Sequence, residues 1–223
     1  MAPSFEHEPV LSEPVLELLS PVPGGVYCDA TLGGGGHAEK LLEASSPDGR
    51  LVGIDRDMEA VAAATARLSR FGERVSIYHG KFSELDGLLD KAGIQQLDGL
   101  LVDLGVSSHQ LESAARGFSF MRLGPIDMRM DQSGGETAAT LLQRMGEDEL
   151  ADIIYRFGGE RLSRRVARSI KRMEADGRLN TTQDLAVAVQ RVFGRKKSGG
   201  IDAATRTFQA IRIAVNNEMG ELE

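Results

Sequence analysis

The 223-residue sequence has a single cysteine, Cys28, and no tryptophan, and aromatic residues make up only 5% of it. One cysteine excludes an intramolecular disulfide and fits a reducing compartment. Because Cys28 lies in an apolar run, we expect a small buried hydrophobic side chain rather than a nucleophile. No apolar run approaches the ~18 residues that span a membrane, and the segment from Met1 to Leu11 has no signal-peptide core. We therefore expect a cytoplasmic protein without a membrane partner.

Several catalytic motifs are also missing. The histidines show no spacing typical of a zinc site with Cys28, so we expect no metal. No Gly-Lys-Ser/Thr sequence occurs, which excludes a Walker A phosphate loop, and no serine stands in a nucleophile elbow. The chemistry therefore has to come from other residues.

The net charge of -7 argues against nucleic-acid binding, but the charge is distributed unevenly. Residues 1–104 hold 8 basic and 17 acidic side chains, whereas residues 161–212 hold 13 basic and 4 acidic ones. Part of this excess forms a stripe at helical spacing, containing Arg161, Arg164, Arg165, Arg168, Lys171 and Arg172. Such a stripe is either a solvated helix face or a contact surface for a phosphate backbone.

The first half of the chain alternates between apolar runs and helical patterns. The runs are 25–29, 50–55, 75–79 and 97–103, and three of them end in an acid, namely Asp29, Asp55 and Asp103. Asp57 and Ser83 are predicted to cap the helices that follow the second and third runs. This alternation predicts βαβ units and a parallel sheet, whose ligand crevice lies at the carboxyl ends of the strands.

The second half of the chain lacks strand patterns. It predicts a loop at 116–131, a polar loop at 195–200, and helices at 147–157, 160–174, 183–193 and 203–222. Thr181 and Thr182 are predicted to cap the third of these helices.

Four consecutive glycines, from Gly33 to Gly36, separate the first predicted strand from the first predicted helix. They permit positive φ and close backbone approach to a ligand. Gly33, Gly35 and Ala38 satisfy the G-x-G-x-x-A pattern of dinucleotide-binding folds, and Asp55 follows about twenty residues later. A carboxylate there accepts hydrogen bonds from the ribose diol of either NAD or S-adenosylmethionine, so these residues leave both cofactors open.

Asp103 favours methyl transfer. It follows the fourth run and therefore faces the same crevice. Transfer from a sulfonium depends mainly on in-line positioning of the acceptor. If the acceptor is an exocyclic base amine, a carboxylate that accepts its hydrogen bond can orient it and stabilise its developing charge.

Long stretches of the sequence resemble the bacterial 16S rRNA cytosine-N4 methyltransferase family, MraW/RsmH. The matching segments cover nearly the whole chain and are 7–11, 29–37, 53–57, 98–108, 116–120, 124–131, 204–210 and 212–218. Two positions depart from the family pattern: Gly159 stands where glutamate is usual, and His109 stands where proline is usual.

The resemblance implies an α/β fold of the class I S-adenosylmethionine methyltransferase type, with a Rossmann-like parallel sheet and an inserted helical domain. It implies methylation of a cytosine N4 amine in the decoding region of 16S rRNA in the small ribosomal subunit, with S-adenosylmethionine as cofactor. The cofactor-binding positions that it implies are Gly35, Gly36, His37, Asp55, Phe82, Asp103 and Gln110, and Asp103 is the candidate catalytic residue.

The resemblance also predicts three regions: a cofactor-binding core at 1–106, a helical insert on the RNA side at 107–203, and a helix returning to the core at 204–223. The family continues past Glu223 with the last strands of its sheet, so we expect the sheet to be incomplete at its C-terminal end. A homodimer is left open.

Two alternatives remain at this point. The first is an NAD-linked oxidoreductase, supported by the glycine pattern and Asp55, although no tyrosine is followed four residues later by lysine. The second is an inactive RNA- or cofactor-binding remnant of the methyltransferase family.

Overall fold

The computed structural model describes residues 11–193 and 203–222, so the family match at 7–10 and the predicted loop at 195–200 lie outside the described residues. The chain divides into two compact units. The first extends to Ser107 and includes Glu221, and the second extends from Ser108 to Gly220. None of the described helices is long and apolar enough to cross a bilayer.

The first unit contains a four-stranded sheet in the order β3-β2-β1-β4, with all neighbouring strands parallel. Its strands are β1 (Val26–Asp29), β2 (Arg50–Asp55), β3 (Val75–His79) and β4 (Gly99–Leu101). Its helices are α1 (Ser12–Leu19), α2 (Gly36–Ala44), α3 (Met58–Leu68) and α4 (Leu85–Lys91). The predicted parallel α/β sheet is therefore confirmed.

Both faces of the sheet are covered, as expected for strands apolar on both sides. Tyr27 and Leu51 belong to a buried cluster with residues of α2 and α3. Cys28 and Val52, which point the opposite way along the same strands, belong to a second cluster with Leu88 of α4. Burial and, secondarily, the charge of Asp29 raise the pKa of Cys28 to about 12, which confirms a packing role rather than a nucleophilic one.

One of the two predicted caps in this unit is wrong. Asp57 caps α3, with its carboxylate accepting from the Glu59 N–H at 3.0 Å. Ser83 caps nothing, because α4 begins only at Leu85 after a 3-10 turn. The Ser83 hydroxyl instead donates to the buried carboxylate of Glu221 at 2.5 Å.

The second unit is helical in its described residues. Its helices are α5 (Ser108–Glu112), α6 (Ala138–Arg144), α7 (Glu147–Gly158), α8 (Ser163–Ala175), α9 (Thr182–Phe193) and α10 (Ala203–Val215). The core lies between amphipathic faces, with Leu150 and Ile154 of α7 and Val166 and Ile170 of α8 fully buried. The predicted cap at Thr181 is confirmed, because its hydroxyl accepts from the Asp184 N–H at 3.2 Å.

The last helix ends earlier than predicted. The sequence predicts a helix over 203–222, but α10 ends at Val215, and it packs mainly on α7 of the second unit. It ends there because the Asn216 side chain turns back to the 116–131 loop, accepting from the Met130 N–H and donating to the Met128 carbonyl, both at 2.7 Å. Asn217 then adopts a φ of 48°.

The 116–131 loop is braced from within. The Arg116 side chain, only 1% exposed, donates to the backbone carbonyls of Arg129 at 3.1 Å and Met130 at 2.8 Å. Arg129 in turn forms a bidentate ion pair with Asp127, at 2.8 and 2.9 Å. Although burial raises the pKa of Asp127, the hydrogen bonds from Arg129 hold it below its ordinary value. Several side chains of the 116–131 loop therefore stabilise the conformation of the loop itself.

Candidate functional site

The glycine turn lies between β1 and α2, as predicted. Gly33 and Gly35 have φ of 52° and 79°, a region that side chains rarely adopt. A Cβ on Gly35 would also lie 3.3 Å from Ala64 Cβ and from Leu68 Cδ1, both on α3. Glycine at position 35 thus permits both the turn and the close approach of α3. Gly36 and His37 follow as the first residues of α2.

Asp55 connects the end of β2 to this turn. Its Oδ2 accepts from the Gly33 N–H at 2.7 Å and its Oδ1 from the Asp57 N–H at 2.8 Å. Burial raises the pKa of Asp55, and these two hydrogen bonds oppose the rise. Because each carboxylate oxygen can accept more than one hydrogen bond, Asp55 retains capacity for an outside donor.

Asp29 is the residue that the sequence placed at a strand end without giving it a role. Its side chain is 1% exposed at the end of β1, where its carboxylate accepts from the Thr31 N–H at 3.2 Å. Burial, together with the negative charges of Asp55 and Asp103, raises the pKa of Asp29 to about 7, although the hydrogen bond from the Thr31 N–H lowers it. The three strand-end acids are therefore close enough to interact, a result that only the sheet order could give.

Asp103 lies two residues beyond β4 and is exposed. Its backbone N–H donates to Thr31 Oγ1 at 2.7 Å, so Thr31 ties the backbone after β4 to the backbone after β1. The Asp29 carboxylate accepts from the Thr31 N–H, and the Thr31 hydroxyl accepts from the Asp103 N–H. These two bonds hold the backbone that carries the exposed Asp103 carboxylate in place.

Two of the predicted cofactor-binding residues, Phe82 and Gln110, are not part of this cluster of glycine turn and acids. Phe82 follows β3 in a short 3-10 turn and packs, partly buried, against the cluster that contains Cys28 and Ile54. Gln110 is buried on α5, in the second unit. The structure thus places Gly35, Gly36, His37, Asp55 and Asp103 at the carboxyl edge of one sheet, with Phe82 after a neighbouring strand, and Gln110 in the other unit.

The charge of this edge distinguishes between the two cofactors. The glycine turn and the start of α2 present backbone N–H groups, and Asp55 can accept from a ribose, which suits either nucleoside. The negative charges of Asp55 and Asp103, however, attract a sulfonium cation and repel a pyrophosphate. The residues present therefore fit S-adenosylmethionine better than NAD.

The raised pKa of Asp29 predicts a pH-dependent stability. The folded state holds a proton on Asp29 that the unfolded chain releases near its ordinary pKa of 3.8. Stability from this residue is therefore lost as the pH rises from about 4 to about 7. Asp29→Asn keeps the oxygen that accepts from Thr31 and removes the titration, so it should stabilise the fold relative to wild type by a few kcal/mol at pH 8 and much less at pH 4.5.

Thermal unfolding of the two proteins at both pH values measures this difference. Asp86→Asn, at an exposed position on α4, is the matched control and should show no such pH dependence. An Asp29→Asn effect that is the same at both pH values would mean that Asp29 is ionised in the folded protein.

A parallel sheet with a glycine turn after β1 and acids at the ends of β1, β2 and β4 defines a Rossmann-like nucleoside-binding enzyme, and the charge of the edge indicates a methyltransferase. The chain belongs to the MraW methylase family, whose model matches residues 4–223. Its methyl donor is S-adenosylmethionine.

The chain is similar to several curated relatives, each called ribosomal RNA small subunit methyltransferase H. The protein from Sorangium cellulosum is 56% identical over 98% of this chain and 69% of its own length. Those from Pelobacter propionicus and Geobacter sulfurreducens are 49% and 50% identical, over 98% and 99% of this chain and 71% of their own lengths. The predicted family resemblance is confirmed, and neither alternative is supported.

Proposed function

We propose that the chain transfers the methyl group of S-adenosylmethionine to the N4 amine of a cytosine in 16S rRNA of the small ribosomal subunit. The names of the curated relatives support a small-subunit rRNA substrate. The structural observation that carries the proposal is the position of Asp103 at the carboxyl edge of the sheet. Its carboxylate is exposed, and its backbone N–H is held by Thr31.

We assign the roles at the site as follows. The backbone at Gly35, Gly36 and His37, at the start of α2, binds an anionic part of the cofactor. Asp55 accepts hydrogen bonds from the ribose hydroxyls. Phe82 supplies an apolar contact for the adenine, and Gln110 supplies a polar contact from the helical region.

Asp103 acts on the acceptor. The bound cofactor supplies an already activated methyl group, so the protein mainly has to position the amine. The Asp103 carboxylate accepts a hydrogen bond from the N4 amine, which orients the nitrogen and stabilises the positive charge that develops on it. Asp29 and Thr31 act through Asp103 as positioning residues.

The predicted regional division is part of the proposal: residues 1–106 carry the cofactor and residues 107–203 carry the RNA side. A ribosomal substrate implies a cytoplasmic location. The homodimer remains a hypothesis, which a solution mass of twice 24.0 kDa in light scattering would support.

The test has two parts. Calorimetric titration of the chain should show binding of S-adenosylmethionine and none of NAD, because of the acidic edge. Incubation with small subunits that lack the modification should then yield N4-methylcytosine in 16S rRNA, detected by mass spectrometry of nuclease digests. NAD binding would contradict the cofactor assignment, and methylation of a different base position would contradict the acceptor assignment.

A further inference from the structure

Five arginines surround a groove of about 530 Å³ in the second unit. Arg165, Arg168 and Arg172 come from α8, Arg178 from the connection to α9, and Arg191 from the end of α9. All five are exposed, and among the described residues Asp176 is the only acid that lines the groove. Three of the six residues of the predicted basic stripe therefore form one wall of a concave surface to which α9 contributes.

Four arginines of the second unit, unlike most of the groove arginines, are held by neighbouring acids. Arg129, Arg144, Arg206 and Arg212 each form an ion pair with a carboxylate. Of the five groove arginines only Arg168 does so, with Glu147 at 3.0 Å. Within the described residues, no acid forms an ion pair with the other four. Their charge is therefore available to an external anion.

Helix packing holds the groove in shape. The Ser169 hydroxyl donates to the Ala188 carbonyl at 2.6 Å, and an Arg165 guanidinium N–H donates to the Val192 carbonyl at 3.3 Å. These bonds join α8 to α9 beneath the exposed charges. Because the helices are fixed, the arginines converge without requiring the backbone to reorganise, which lowers the entropic cost of binding.

The dimensions and lining favour a polymer of phosphates. Arg165 and Arg172 are seven residues apart on one helix, which is about 10 Å at 1.5 Å per residue. At that spacing the arginines can contact more than one phosphate of a nucleic-acid strand. In the part of the chain that the structure describes, no aromatic side chain lines the groove, so these residues offer bases no stacking surface.

We infer that the groove lined by Arg165, Arg168, Arg172, Arg178 and Arg191 binds the phosphate backbone of RNA without reading its sequence. This inference rests on the proposed function for the identity of the polyanion. The groove increases the affinity for the RNA and orients it. The target cytosine is recognised at the carboxyl edge of the sheet, where Asp103 lies. Loss of the groove should therefore raise KM for the RNA substrate and leave kcat little changed.

The test compares two triple variants with the same change in net charge. The groove variant is Arg165→Gln, Arg172→Gln and Arg191→Gln. The control variant is Arg70→Gln, Arg144→Gln and Arg156→Gln, which lie outside the groove. Circular dichroism melting verifies that both fold. Fluorescence anisotropy then measures binding of a short labelled single-stranded RNA over a salt series of about 50 to 200 mM.

The groove variant should bind RNA at least about tenfold more weakly at low salt. The slope of log K against log salt should become shallower by about 2, since each lost single-strand phosphate contact contributes about 0.7. The control variant should bind within about threefold of wild type, and RNAs of different sequence should be affected equally. Millimolar inorganic phosphate should compete poorly, because a single anion fills only part of the groove.

Equal weakening by both triple variants would overturn the inference, because only net charge would then matter. So would unchanged binding to free RNA combined with lost binding to the small subunit, which would indicate a protein contact. If RNA binding depends on the groove but no methyl transfer is detected, the result would contradict the proposed function and still support the inference that the groove binds RNA.

Discussion

Asp103→Ala should abolish detectable methyl transfer, whereas binding of S-adenosylmethionine should be weakened much less, because the other cofactor-binding positions are intact. The proposed role of the carboxylate, orienting the acceptor amine and stabilising its charge, operates in the transition state, so kcat should fall at least about a hundredfold. Folding should be preserved, because the side chain is exposed and the anchor to Thr31 comes from the backbone N–H. Single-turnover transfer to unmethylated small subunits measures the effect.

Asp103→Asn separates the two parts of this role. The asparagine oxygen can still accept a hydrogen bond but carries no charge, so an intermediate rate would show that both geometry and charge contribute. Asp86→Ala on α4 controls for general effects and should be fully active. Normal turnover in Asp103→Ala would remove Asp103 from the proposed mechanism.

Gly124→Ala should destabilise the second unit by about 3 kcal/mol or more, which corresponds to a fall of roughly 10 °C in the unfolding temperature. A Cβ at this position would lie 1.8 Å from the Ala114 carbonyl oxygen. Both sides of the clash are backbone, so no rotamer change relieves it. Displacing Gly124 would also break its two hydrogen bonds with Thr182, at 3.2 and 3.0 Å.

Gly134→Ala is the matched control, since a Cβ there meets nothing within 4 Å. Differential scanning calorimetry of the two variants and wild type gives the comparison. If Gly124→Ala unfolds at the wild-type temperature, the 116–131 loop is not held as tightly as its contacts indicate.

The sheet was predictable because its signals are local. Short apolar runs followed by helix-capping residues such as Asp57 need no partner elsewhere to be recognised. Ser83 shows where this fails: its position resembles a helix cap, but a carboxylate 138 residues later takes its hydroxyl. The end of α10 was misplaced for the same reason, because Asn216 bonds to backbone more than 80 residues earlier.

The sequence by itself determined that this protein is a strand-helix methyltransferase with a glycine turn, with Asp55 and Asp103 after buried strands. Only the tertiary structure decided that Asp29 joins them with a pKa near 7, because that value depends on burial and on charges brought from β2 and β4. It also decided that three arginines of the basic stripe, Arg165, Arg168 and Arg172, line a groove together with residues of α9. Periodicity encodes which face of an element is buried, whereas electrostatic coupling and concave surfaces arise only when distant segments pack together.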